Sequence, residues 1–376
     1  MKIAFVLGHE LPFPPRGGGG VNSLLHSLTK ALVKIGHDVT AYSPSSPGYK
    51  DIEFIDGVKH IRLKGATRNA NTIKNIISGL PYVLRVRSAI EPCDVLSCHL
   101  LTTFLLTNHQ NAKVVTHTIH RDPKRYLYLF RLVDRIYSGS DAVTDDAKKL
   151  VPNLAVKMKT VYNCVDMENY NCSMATRNRD FAFLYVGRFS RDKGIETMIR
   201  AFIDLAKKYP NIRLETVGPQ TAEMGAEPDF VASMRELIDN VGLMNRIKIC
   251  EPIFDRKLLD EKIASADIVC LPSLGGETLN MAVLECARLS KPLIVSDLPA
   301  NRPLVHDGLN GFFAKAGDVN DWSRVMQKTF ELSDTAYRDM GLASFQYVAN
   351  NFSSEIIAKR YVEDFTLLLK GTNYEV

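Results

Sequence analysis

Short apolar runs alternate with helix-length amphipathic segments along the whole chain, and this grammar restricts the available folds more than any single motif. The runs are rich in Val, Ile, Leu and Ala and lack clean polar alternation, the pattern of strands buried on both faces of a parallel sheet. In the first half, strands are predicted at 2–8, 38–43, 58–63, 94–98, 113–118, 141–144 and 158–162. Helices fall between them at about 21–35, 72–88, 100–108, 124–137 and 145–150. A polar stretch at 163–180, NCVDMENYNCSMATRNRD, reads as a linker, after which the grammar resumes. Strands are predicted near 182–187, 212–217, 246–250, 267–271, 292–296 and 311–313. Helices are predicted near 194–208, 229–241, 256–265, 278–289, 319–331, 334–349 and 354–370.

A chain of 376 residues built this way is two domains of ordinary size. The fold expected is α/β, with two doubly wound Rossmann-like domains facing a central cleft. A ligand would sit between them at the carboxyl ends of the strands. The boundaries expected are 1–165 and 166–353, with 354–376 packing back on the first domain.

No run approaches the roughly 18 uncharged apolar residues that a membrane span needs. The N-terminal MKIAFVLGHE enters a strand without a signal-peptide pattern, and the seven cysteines are scattered with no C-x-x-C pair. Both point to reduced thiols in a cytoplasmic protein, and against a disulfide framework or a zinc site. Charge is uneven. Residues 1–163 hold 22 Lys and Arg against 12 Asp and Glu, net +10, while the remainder hold 25 against 30, net −5. A basic first half suits an anionic surface or substrate. Its strongest concentration is Arg121, Lys124, Arg125, Arg131 and Arg135, interleaved with Tyr126, Tyr128 and Phe130. No recognition-helix or RNA-binding motif accompanies the charge, so nucleic acid is not an expected partner. A merely solvated basic face would look the same.

Three motifs fall where predicted strands end. Arg16 and the glycines at 17–20 follow the first strand and precede a helix, and such glycines let the backbone approach a ligand with its N–H groups free. They do not form the dinucleotide fingerprint: G-x-G-x-x-G starting at Gly17 meets Asn22 where the last glycine belongs. In the second half, FAFLYVG is followed by Arg188-Phe-Ser-Arg-Asp-Lys193-Gly194 and an amphipathic helix. A guanidinium fork and a mobile ammonium on a strand-to-helix turn match the needs of a diphosphate. The third motif, GETLNMAVLE, sets Glu277 and Glu285 eight positions apart between two apolar strands. A helix starting near Thr278 puts Glu277 at its mouth and Glu285 about two turns in, a pocket for a polyhydroxylated ligand. In the bland alternative Glu277 is only an N-terminal helix charge and Glu285 is solvated.

Further segments are VVTHTIH at 114–120, VYNCVD at 161–166, YVGRFSRDKGIETMIRAF at 185–202, PSLGGETLNMAVLECARLSKPLIVSD at 272–297 and HDGLNGFFAKAGD at 306–318. With the glycine loop, they resemble in content and order the retaining sugar-nucleotide glycosyltransferases of family 4. The resemblance implies the two-domain B-type (GT-B) fold, with 1–165 binding the acceptor and 166–353 the nucleotide-sugar donor. It implies that Arg188 and Lys193 hold the donor diphosphate and that Glu285 holds the ribose hydroxyls. Glu277, with the backbone N–H groups of Leu279 and Asn280, would contact the donor sugar, and Gly18, Gly19 and Gly20 would lie beside the phosphates. His120 would stand by the donor sugar and the reaction centre, with His117 as second candidate; a buried structural histidine is the alternative for either. His117, Arg121, Lys124 and Arg125 are the acceptor-side candidates. Two positions depart from the family pattern. Thr278-Leu279-Asn280 stands where glycines are frequent, which bears on the fit of the donor sugar, and Ser290 replaces a common glycine before Lys291-Pro292.

The implied activity is retaining transfer of a hexosyl group from a UDP-sugar, or next a GDP-sugar, to a hydroxyl of a glycan, a lipid-linked saccharide or a small natural product. No cofactor and no metal are expected. No Asp-x-Asp motif occurs, Asp145-Asp146 reads as a helix start, and the cationic pair takes over the charge of the leaving group. No carboxylate nucleophile stands out, so a front-face displacement is the working mechanism. The basic first domain adds peripheral association with the inner face of an anionic membrane. The alternatives are a nucleotide-sugar epimerase on the same fold and a non-catalytic nucleotide-sugar-binding protein.

Overall fold

The structure is a computed structural model that describes residues 1–15, 20–66, 72–120, 123–172, 177 and 180–371. It divides into two compact units, Met1–Asp166 with Ser353–Val376, and Met167–Phe352. The first unit begins with β1 (Lys2–Val6), α1 (Gly20–Lys34), β2 (Asp38–Pro44), β3 (Ile52–Ile55), β4 (Val58–Leu63) and α2 (Thr72–Ala89). It continues with β5 (Cys93–Cys98), β6 (Ala112–Ile119), β7 (Arg135–Ser138), α3 (Asp141–Leu150) and β8 (Met158–Thr160). The sheet order is β3-β4-β2-β1-β5-β6-β7-β8, and β3 alone runs antiparallel to its neighbour among the described strands.

Side-chain alternation along central β1 explains why cover is needed on both faces. Ile3 and Phe5 point to one side, where Leu24, Leu25, Leu28 and Leu32 of α1 close a core. Ala4 and Val6 point to the other, against Tyr82, Val83 and Val86 of α2. Because successive residues face opposite sides, an unbroken apolar strand must be sandwiched.

The second unit runs β9 (Phe181–Val186), α4 (Ile195–Ala206), β10 (Ile212–Val217), α5 (Pro228–Asn240), β11 (Ile247–Cys250), α6 (Arg256–Ala264) and β12 (Ile268–Leu271). Then come α7 (Met281–Ala287), β13 (Leu293–Ser296), β14 (Gly311–Ala314), α8 (Val319–Phe330) and α9 (Asp334–Phe352). Its strands are all parallel, in the order β11-β10-β9-β12-β13-β14. Phe181, Phe183 and Tyr185 of β9 share a core with Met198, Ile199 and Phe202 of α4 and with Trp322 of α8. Leu184, Val269 and Val295, on the opposite face, are equally buried.

The last described helix, α10 (Ser354–Leu369), belongs to the first unit and contributes Ile357, Ala358, Tyr361 and Phe365 to the core beside α1. Asp364 fixes it there. This buried carboxylate accepts from Arg135 Nε at 3.0 Å, the Tyr137 hydroxyl at 2.6 Å and Lys159 Nζ at 2.7 Å. A charge so far from water persists only with such partners.

Several elements differ from expectation. The segment 124–137 is not a helix but a 3-10 turn, Arg125–Phe130, leading into β7. No strand forms at 141–144: Ser140 caps α3, its Oγ accepting from Val143 N at 3.3 Å, so Asp145-Asp146 lies inside that helix and not at its start. The helix expected at 100–108 is reduced to a 3-10 turn at Thr103–Leu105. Strand β3 was not expected; it pairs with β4 through Asp56-Gly57, both at positive φ (51° and 77°), a hairpin turn favouring these residues.

Candidate functional site

In an open parallel sheet, ligand-binding loops gather where the strand order reverses. In the second unit the chain steps from β9 outward to β10 and β11, then returns to β12 on the other side of β9. The loops leaving β9 and β12 are 187–194 and 272–280, which carry the cationic and acidic motifs. Leu274 N donates to Asp192 O at 2.8 Å, and Gly194, at φ 64°, lies so close to the other loop that a Cβ would fall 2.0 Å from Pro272 O. Only glycine permits that approach.

Lys193 and Glu277 meet across this junction. Lys193 Nζ donates to Glu277 Oε1 at 2.6 Å, and Ser273 Oγ donates to the same oxygen at 2.7 Å. Both charged side chains are mostly buried. Arg188 is more exposed; its guanidinium donates to Asp192 Oδ2 of its own turn at 2.9 Å and to Gly225 O of the turn after β10 at 3.1 Å.

Helix α7 starts later than expected, at Met281, so Glu285 lies in its second turn and Glu277 in the loop before it. Asn280 occupies the cap position without a side-chain capping bond, and both Leu279 and Asn280 are buried. Among the described residues, neither the Leu279 nor the Asn280 N–H donates to a backbone carbonyl. Glu285 pairs with Arg256, the first residue of α6, at 3.0 Å, and Arg256 also pairs with Asp260 at 3.0 Å. Ser290 takes φ 58°, so the serine occupies a left-handed position at the end of this segment, where glycine is favoured.

The first unit has its own reversal, between β1 and β5. Gly20 opens α1 and is exposed, while Gly18, Gly19 and Arg121 lie outside the described residues. His120, half-buried just beyond β6, is hydrogen-bonded through Nε2 to His99 Nδ1 at 2.8 Å, and the rings stack with centroids 5.1 Å apart. His120 also borders a small cavity with Thr118, Tyr162 and Asn163.

His117 is corrected from an acceptor-side candidate to a packed core residue. It is 4% exposed, lies 3.0 Å from Thr103 Oγ1 and stacks on Phe130 at 3.7 Å. Burial pushes its pKa down to about 3. Its neighbours 116 and 118 face the opposite side of β6, which is the period-two alternation of a strand. Lys124 and Arg125 are exposed beside a patch of Tyr128, Leu129 and Leu132, with the Arg131 guanidinium 5.2 Å over the Tyr128 ring.

Sequence reasoning missed His99, Asp192, Ser273 and Arg256. His99 was legible as the first residue after a predicted strand, and Asp192 and Ser273 lay inside quoted motifs. Arg256 gave no signal, because its partner belongs to another helix.

Two family profiles match the chain in succession: "Glycosyltransferase Family 4" over residues 18–169 and "Glycosyl transferases group 1" over residues 167–343. Phosphatidyl-myo-inositol mannosyltransferase of Mycolicibacterium smegmatis is 23% identical, over 87% of this chain and 84% of that protein. Among solved structures, sucrose-phosphate synthase from Thermosynechococcus elongatus superposes with a TM-score of 0.79 at 18% identity, covering 98% of this chain and 99% of that one. Anabaena HepE in complex with UDP and glucose gives 0.73 at 17% identity, covering 97% and 99%. Both solved structures have the same fold as this chain. Among the described residues no helix is long and apolar enough to cross a membrane.

Proposed function

Because the chain belongs to the family 4 glycosyltransferases and has their B-type fold, we propose that it moves a hexosyl group from a nucleoside diphosphate sugar to an acceptor hydroxyl, retaining anomeric configuration. The observation that carries this reading is the Lys193–Glu277 contact, an ammonium and a carboxylate 2.6 Å apart where the β9 and β12 loops meet. Departure of the diphosphate leaves an oxocarbenium-like sugar and an additional negative charge on the leaving group. Arg188 and Lys193 stabilise that charge in the role a divalent cation has elsewhere. Glu277 accepts from hydroxyls of the donor sugar, aided by the N–H groups of Leu279 and Asn280, and Glu285 accepts from the ribose hydroxyls. By its resemblance to the family, His120 is assigned a role toward the donor sugar. With no carboxylate assigned as nucleophile, the acceptor hydroxyl attacks from the leaving-group face and passes its proton to the departing diphosphate oxygen.

UDP is the first nucleotide to try and GDP the second; the UDP complex of HepE supports that order. Exposed Tyr128, Leu129 and Leu132 beside Lys124, Arg125 and Arg131 support an acceptor held at an anionic membrane. The mycobacterial relative is named for transfer to phosphatidyl-myo-inositol, a lipid of that kind.

A thermal-shift panel of nucleotide sugars identifies the donor, since a ligand at 100 times its dissociation constant adds about 2.7 kcal/mol. With that donor, Arg188→Ala and Lys193→Ala should each lower turnover by on the order of 10²–10³ while the protein stays folded. Near-wild-type turnover in either variant at saturating donor refutes the assignment. An epimer formed from donor alone would replace transfer with epimerisation.

A further inference from the structure

His99 is the first residue beyond β5, at the reversal point of the first sheet, and no motif of the sequence singles it out. Three contacts fix its ring. It stacks on Phe5 of β1, centroids 5.5 Å apart and planes within 5° of parallel. Its Nε2 lies 3.1 Å from Ser97 Oγ, and its Nδ1 lies 2.8 Å from His120 Nε2. Burial, followed by the charges of His120 and His117, holds its pKa well below the ordinary histidine value. His99 is therefore neutral near pH 7 and carries one ring proton.

A neutral imidazole between two partners offers one donor and one acceptor. With the proton on Nε2, His99 donates to Ser97 Oγ and accepts from a proton on His120 Nε2. With the proton on Nδ1, the direction reverses, and His120 accepts through Nε2. Either way the state of His99 dictates which nitrogen of His120 bears hydrogen, and the stack on Phe5 prevents its ring from turning away. We propose that Ser97, His99 and His120 form a hydrogen-bonded chain in which His99 is a positioning residue, setting the tautomer and ring orientation of His120. The consequence for turnover rests on the assignment of His120 to the sugar side of the reaction; the chain itself does not.

The test uses full-length protein labelled with ¹⁵N-histidine, whose ring nitrogen shifts report the His120 tautomer without any ligand. His99→Phe keeps a ring against Phe5 but removes both hydrogen-bonding nitrogens; His99→Asn restores a polar group near the position of Nδ1. The expected result is a changed pair of His120 nitrogen shifts in His99→Phe, with return toward wild type in His99→Asn. In parallel, release of UDP from UDP-glucose should show kcat falling by on the order of 10²-fold in His99→Phe with KM little changed, as for a misplaced reacting group. Partial recovery of kcat is expected in His99→Asn. Unchanged His120 shifts in a folded His99→Phe protein overturn the proposal. Changed shifts together with wild-type turnover in His120→Ala would uphold the positioning chain and instead overturn the role given to His120 in transfer.

Discussion

Replacing Gly194 by alanine should open the junction between the two loops that carry the donor-side residues. The substitution has two separable consequences. Alanine at φ 64° loses about 1–2 kcal/mol to the left-handed backbone conformation. The new Cβ also falls 2.0 Å from Pro272 O, and a backbone atom cannot swing aside as a side chain could. The loops must separate, which sacrifices the 2.8 Å Leu274 N to Asp192 O hydrogen bond, a net loss of about 1 kcal/mol. Together these come to about 2–3 kcal/mol. At a slope of about 3 kcal/mol per M, the urea midpoint of the second unit drops by about 1 M. Trp322 is the chain's one tryptophan and is fully buried in that unit, so its fluorescence follows the relevant transition. Gly242→Ala is the control: φ there is 67°, but nothing lies within 4 Å of the added Cβ, leaving the backbone cost alone. Lys193 would also shift from Glu277, and a displacement of about 1 Å at a reacting group costs on the order of 10²-fold in rate. Equal midpoints for Gly194→Ala and Gly242→Ala, with donor turnover retained in the former, would refute the reasoning.

Glu285→Gln should weaken binding of nucleoside diphosphate and donor alike, whereas Glu277→Gln should impair donor binding and spare the diphosphate; calorimetry with both ligands decides, and identical behaviour of the two variants defeats the assignment. Acid should destabilise the first unit through its buried histidines. Burial, then the Arg62 charge, lowers the His60 pKa to about 4, and burial lowers that of His117 to about 3. Since the unfolded chain binds these protons first, the stability they confer is complete above about pH 6.5 and is lost as pH falls toward those values, about 2 kcal/mol for each at pH 5. His60→Leu should flatten the pH dependence of the urea midpoint measured by circular dichroism, and an unaltered slope would contradict it. Sedimentation with anionic vesicles at low salt should exceed that with neutral ones, and Lys124→Glu, Arg125→Glu and Arg131→Glu together should abolish the difference at about 1 kcal/mol per charge. Equal binding to both vesicle types eliminates the membrane reading.

Strand and helix in both units follow mostly from local pattern: β1 is apolar at every buried position, and such a run has few alternatives to the middle of a parallel sheet. The motifs at 188–193 and 277–285 were equally visible, because glycine, charge and strand exit are all local features. Some errors were also local. The Asp56-Gly57 hairpin and the Ser140 cap had signals that were overlooked. Others had no local remedy. The stretch 124–137 has the apolar spacing of a helix, yet Arg135 enters a strand whose buried guanidinium is matched by Asp364 at the far end of the chain. Likewise the sequence placed Lys193 and Glu277 on separate loops without revealing that they touch, and Glu285 gave no hint of Arg256. Periodicity and turn chemistry act over a few residues, so the sequence by itself determined the elements and the residue types available for chemistry. Which charge neutralises which, and which histidine is buried, depend on contacts between distant segments, and these only the tertiary structure decided.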